Sequence, residues 1–240
     1  MKALITKYVS TQIPEAKQNE LDRELFNCAS AGQSGSVDSM RRKADIEAIL
    51  RKGANINANN NVMERTALHC AVEKEDNTTA QFLLGREGIK VNARDRFQMT
   101  PLMSASAMLN VLMVGLILGH QDVESDAANE GKTAAHFALN NINEQEYSST
   151  DLPKIFQITK LLFEHQRARN NALKQPLSYN SEFISFVRKA STPNPESKKR
   201  FIEAEKFFVD KLNELNVTNT RFSDMPSNRM GRISTRGNCY

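Results

Sequence analysis

The chain has 240 residues, 40% of them hydrophobic and 7% aromatic, and its 32 basic and 28 acidic side chains leave a formal net charge of +4. The two signs are mixed along most of the length, so whole-chain charge does not argue for a nucleic-acid partner. Cys28, Cys70 and Cys239 are widely spaced and form neither a disulfide framework nor a zinc spacing, which points to a reducing compartment.

Residues 1–19 are polar, contain Pro14 and read as a loose N-terminal arm; Met1 to Gln12 has no apolar core long enough for a secretory signal. From Glu20, the residues Leu21, Leu25, Phe26 and Ala29 have helical spacing up to Gly32, and a second helix from about Ala44 to Lys52 stops at Gly53. Between them Gln33 to Lys43 reads as a Ser/Gly-containing and then basic insertion, and the unit closes with Gly53-Ala54-Asn55-Ile56-Asn57-Ala58. A second unit has helices from Thr66 to Glu73 and from Thr78 to Leu84 around a polar turn at Glu75, Asp76 and Asn77, and its close, Val91-Asn92-Ala93, matches Ile56-Asn57-Ala58. A third runs from Thr100 to Leu118; Thr can cap a helix and the following Pro101 has no amide to lose, so a helix starts there. The apolar run from Ala105 to Leu118, broken by Ser106, Asn110 and Gly115, is too short to span a bilayer. In the fourth unit, from Thr133, the helices are pushed apart by Asn140 to Pro153 before Phe156 to His165 resumes the pattern.

These units are phased. Thr66-Ala67-Leu68-His69-Cys70-Ala71, Thr100-Pro101-Leu102-Met103-Ser104-Ala105 and Thr133-Ala134-Ala135-His136-Phe137-Ala138 recur at intervals of 34 and 33 residues, which is the mark of a solenoid. Residues 20 to about 170 resemble ankyrin repeats, whose TPLHxA signature these segments match in pieces. The resemblance implies an all-α solenoid of about four helix-pair repeats, over residues 20–58, 59–93, 94–126 and 127–175. It also implies projecting fingers at Asn59–Arg65, Arg94–Met99 and Ala127–Lys132, with His69 and His136 bonding between backbones of adjacent units. Where the family has Gly two residues before the Thr, this chain has Glu64 and Gln98, and only Gly131 conforms. A side chain in left-handed backbone costs on the order of 1 kcal/mol, so the first two fingers are expected to differ in shape.

After Pro176 the signature is lost. Helices over Glu182–Ala190 and Glu196–Leu215, the second striped by Phe201, Ala204, Phe208, Leu212 and Leu215, predict a helical hairpin cap at 176–215. Residues 216–240, with Arg221, Arg229, Arg232 and Arg236, read as a basic disordered tail.

No glycine-rich phosphate loop, paired-carboxylate motif or metal-ligand cluster is present, so no catalysis, cofactor or metal is expected. His120 and His165 read as residues just beyond second helices, and Glu73, Glu75 and Asp76 as a solvated turn. Met63, Phe97 and Met99 are apolar residues in turns that polar residues usually fill, and with Arg65, Arg94, Arg96 and Lys132 they have the make-up of an interface. Ser106 and Met108 are the inner-face candidates, short or flexible enough to leave room for a partner. The expected function is a monomeric, non-catalytic, cytoplasmic module that binds another protein through the concave face and fingers. The degenerate signatures and basic tail also resemble ankyrin proteins that intracellular bacteria deliver into host cells, which would make the partner a host protein and the host cytoplasm the destination. The alternatives are a substrate-selecting subunit of an enzyme assembly, or a weak polyanion or lipid contact through the basic C-terminal region.

Overall fold

The computed structural model describes residues 13–31, 36–59, 62–143, 151–170, 179–190 and 198–223. Eight helices pair in sequence order: α1 (Glu15–Ser30) with α2 (Ser36–Arg51), α3 (Ala67–Glu73) with α4 (Asn77–Leu84), α5 (Pro101–Ala107) with α6 (Val111–Leu118), and α7 (Ala134–Asn143) with α8 (Asp151–Asn170). First helices stack on first helices, α1 on α3 on α5 on α7, and second helices on second, α2 on α4 on α6 on α8. One apolar core runs between the two layers, from Leu25 and Ile46 through Leu68, Leu83, Leu102 and Ile117 to Leu139 and Ile155. The fold is therefore the all-α solenoid that the phasing implies.

The first pair differs from its sequence reading at both ends. α1 begins at Glu15, five residues inside the expected arm, because Pro14 caps it with a preset φ of −53° and lacks an amide to leave unpaired. The supposed insertion Gln33–Lys43 is largely helix, since α2 starts at Ser36. Two of its three basic residues are used internally: Arg42 is buried against Asp76 at the start of α4, and the Lys43 ammonium lies 5.6 Å from the centroid of Phe82, whose ring also carries the Arg86 guanidinium at 4.0 Å. Asp76 is thus no part of a solvated turn; it is 2% exposed. Gly53 turns the chain out of α2 at φ +102°, where the side chain of Ile13 presses on the space a Cβ would fill.

Adjacent units are also tied through their closes. Asn57 donates to the Gly88 carbonyl (2.8 Å) and accepts from the Lys90 amide (2.7 Å); Asn92 repeats the clamp on the Asp122 carbonyl (2.7 Å) and the Glu124 amide (2.9 Å). Two backbone groups that would otherwise be left open between turns are satisfied by each asparagine.

Beyond the fourth pair, α9 (Tyr179–Ala190) and α10 (Lys198–Ser223) cover α7 and α8. Phe156 meets Phe208 at 5.3 Å and Phe207 at 6.4 Å between centroids, and Phe163 meets Phe186 at 5.5 Å. Of the predicted stripe, Ala204, Phe208 and Leu212 are buried; the side chains of Phe201 and Leu215 lie outside those described. α10 continues to Ser223, eight residues past the expected end, and Arg229, Arg232 and Arg236 lie outside the described residues. No helix among the described residues is long and apolar enough to cross a membrane.

Candidate partner-binding surface

The first helices α3, α5 and α7 are each preceded by a finger built from local chemistry. In the third unit the finger is closed by Asp95: its amide donates to the Met99 carbonyl (3.0 Å), its carbonyl accepts from the Gln98 amide (2.8 Å), and its Oδ1 accepts from the amides of Phe97 and Met99 (both 2.9 Å). The fourth unit has a true hairpin, β1 (Ala128–Asn129) against β2 (Lys132–Thr133), with Glu130 and Gly131 both at positive φ as a two-residue loop requires. The second unit's finger closes with a bridge between Asn59 and Thr66.

The fingers differ in shape, the fourth a two-residue hairpin and the second and third not, yet not through a change of backbone at Glu64 and Gln98. Both adopt the left-handed backbone, at φ +54° and +60°, so the turn geometry that glycine would favour is kept and strain is accepted instead. The same holds at the helix-to-helix turns, where Glu75 (φ +53°) and Leu109 (φ +54°) sit past the ends of α3 and α5. There the amides of Glu75 and Asp76 return to the carbonyls of Val72 and Ala71, and those of Leu109 and Asn110 to Ser106 and Ala105, the closing pattern of a Schellman turn.

The fingers are laced together. The Arg96 amide donates to the Met63 carbonyl (2.9 Å) and its guanidinium to the Val62 carbonyl (3.3 Å), while Asn129 donates to the Phe97 carbonyl (2.8 Å). His69 supplies a further link: its Nδ1 accepts from the Thr66 amide (3.3 Å), which leaves Nε2–H to donate to the Met99 carbonyl of the next unit (3.2 Å). His136 accepts from the Thr133 amide in the same way (3.0 Å), and its outgoing bond goes to the backbone of Lys189 in α9. The cap thus takes the place of a further finger. Met103, which stands where a third histidine would be, makes no such bond; its amide is capped by the Thr100 hydroxyl at 3.3 Å.

Burial pushes His69 down from the usual imidazole range, with the Met99 bond opposing it, and burial likewise lowers His136 and His165. His165 lies within α8, its Nδ1 3.0 Å from the Ser125 hydroxyl, and not beyond a helix end as its sequence position suggested. A histidine whose folded pKa is depressed contributes stability that is present above the unfolded value, ~6.5, and is lost as pH falls through the folded value. The urea midpoint is therefore expected to fall between about pH 7.5 and about pH 5.5, and His69→Gln to flatten that fall. A midpoint constant over this range would show that the imidazoles titrate normally. Cys70, pushed up to about 12 by burial, is held as a thiol.

The predicted binding residues do not all reach the surface. Phe97 is 59% exposed, and Arg94, Arg96 and Lys132 are exposed as well; Met63, Arg65 and Met99 are half-buried. Arg65 is engaged by Glu73 at 2.8 Å and Asp95 at 3.7 Å. Ser106 is fully buried and can meet no partner. It stands four residues after Leu102 in α5 and shares its inward face, a spacing that could have revealed it. Met108 is exposed, but it caps the far end of α5, and its exposed neighbour Leu112 opens α6 on the edge away from the fingers. Val62, 64% exposed, is a finger residue that sequence reading missed; as a lone valine in a polar turn it carried no pattern. At the N-terminal end a cleft of about 740 Å³ between α1 and the base of the first finger is lined by Asn19, Arg23, Phe26, Asn27, Asn55 and Asn59 among others.

A family model for ankyrin repeats in many copies matches residues 68–118, the stretch from α3 through α6. Residues 68–118 are similar to ankyrin repeats. Ankyrin repeats are non-catalytic modules of protein–protein interaction, and the matched stretch contains the complete finger that carries Phe97.

Proposed function

We propose that this protein is a non-catalytic scaffold that holds another protein across its fingers and the adjoining concave face. The observation that carries this reading is Phe97. An aromatic ring stands 59% exposed on a finger whose backbone is fixed at both sides, by Asp95 to its amide and by Asn129 to its carbonyl. A rigidly mounted exposed aromatic loses little conformational freedom on binding and gains the most area when covered. Phe97→Ala is expected to abolish capture of partner proteins by the immobilised full chain while leaving the melting temperature unchanged, because the ring supports nothing inside the fold. Capture of the same proteins by the variant would overturn the reading.

Delivery into a host cell rests on the resemblance and on the composition of the tail. A translocation assay comparing the full chain with one ending at Leu215 tests it: equal delivery of both would remove the tail from that role.

A further inference from the structure

The partner's chemistry can be narrowed from the finger surface, given the docking reading above. Two exposed arginines share the finger with Phe97, and each guanidinium is already positioned. Arg94 donates one N–H to the Gln98 carbonyl at 3.0 Å across its own finger, and Arg96 donates one to the Val62 carbonyl at 3.3 Å on the preceding finger. The carboxylate best placed to neutralise them is withdrawn: Asp95 is 3% exposed, accepts the two finger amides and lies 3.7 Å from Arg65. Among the described residues the one ion pair of this finger joins Asp95 to Arg65, and none reaches Arg94 or Arg96. This finger and the edge of the preceding one therefore expose two apolar side chains, Phe97 and Val62, together with two cations held in place but in no ion pair among the described residues.

We propose that this site takes an acidic segment of a partner protein, with an apolar side chain seated on Phe97 and Val62 and carboxylates on either side received by Arg94 and Arg96. A guanidinium presents several N–H groups in a fixed fork, so one N–H spent on a carbonyl leaves others for a carboxylate. Fixing the fork beforehand removes part of the entropy that a free arginine would lose on binding. A nucleic-acid strand is disfavoured because the neighbouring fingers expose Glu64 and Glu130, which break any continuous cationic track along a phosphate backbone.

The test is selection of a random peptide library displayed on phage against the immobilised full chain, followed by anisotropy titration of synthetic copies of the enriched peptides. The expected peptides carry Asp or Glu on both sides of a Leu or an aromatic residue. Their affinity should fall roughly tenfold in Arg94→Gln and in Arg96→Gln, and again when the peptide's own acids are replaced by amides. Arg96 also ties two fingers together, so Arg96→Lys, which keeps the charge and loses the fork, is titrated alongside, with melting temperatures for each variant. Peptides that depend on Phe97 but are neutral or basic, or that ignore the arginine variants, would overturn the acidic assignment and leave the docking role standing. A single-stranded oligonucleotide that binds through the same arginines more tightly than any peptide would also overturn it. If no enriched peptide depends on Phe97, the docking role itself fails, and the acidic assignment with it.

Discussion

Asp76→Ala is expected to lower the unfolding free energy by ~3–5 kcal/mol, the largest single-residue effect in the array. Asp76 and its partner Arg42 are 2% and 7% exposed, so the pair sits where an unmatched charge has no water to turn to. Asp76 also caps α4, its Oδ1 accepting the Thr79 amide at 3.0 Å and its Oδ2 the Thr79 hydroxyl at 2.7 Å, and losing a cap alone costs about 1 kcal/mol. Truncation removes the cap and strands a buried guanidinium between α2 and α4, which loosens the first unit from the second. The double variant Arg42→Met with Asp76→Ser keeps a capping oxygen, removes both charges and should recover most of the loss, because a buried pair is worth far less against an apolar replacement than against a half-pair. Urea unfolding of the three proteins decides it; a cost below about 1 kcal/mol for Asp76→Ala would mean that the pair does not hold the units together.

The same carboxyl sets an acid limit. Burial acts to raise its pKa, but the bonds from Thr79, Arg42 and Ser39 outweigh burial and hold it below the usual carboxylate range. A depressed carboxylate contributes stability that is present above the unfolded value, about 4, and lost as pH falls through the folded one. This window lies below that of the histidines, so acid unfolding should proceed in two ranges, the lower of which Asp76→Asn removes.

What was legible in the sequence follows from what is local. Thr66, Thr100 and Thr133 mark helix starts because a capping hydroxyl acts within three residues, and repetition turns three weak signals into a register. His69 is legible for the same reason, since its link to Thr66 is local. Arg42 is not: in a basic, Ser/Gly-flanked stretch it looks like loop, and only a carboxylate 34 positions later, brought alongside by stacking of α4 on α2, makes it a core residue. The exposure of Phe97 could be suspected from its place in a turn, but its fixed mounting depends on Asn129 of the next finger. Ser106 faces inward because its position in α5, and not its small polar side chain, decides which face it occupies.

The second large effect has the opposite sign. Replacing Glu64, Glu75 and Gln98 together by glycine is expected to raise the unfolding free energy by ~1.5–3 kcal/mol. All three hold left-handed backbone, at φ +54°, +53° and +60°, and all three are exposed, so glycine removes strain and almost no packing. Glycine also loosens the unfolded chain by ~0.4–1 kcal/mol per site, which is why the net gain is smaller than the strain relieved. The gains should add, since the residues occupy three separate turns. Leu109 supplies the internal comparison: its φ of +54° carries the same strain, but its side chain packs on the core, so Leu109→Gly trades strain for lost burial and should come out near neutral. Thermal and urea unfolding of the triple and single variants would separate the two cases. A triple variant less stable than the parent would mean that the positive φ values at these turns carry no strain, and that their side chains contribute something exposure does not reveal.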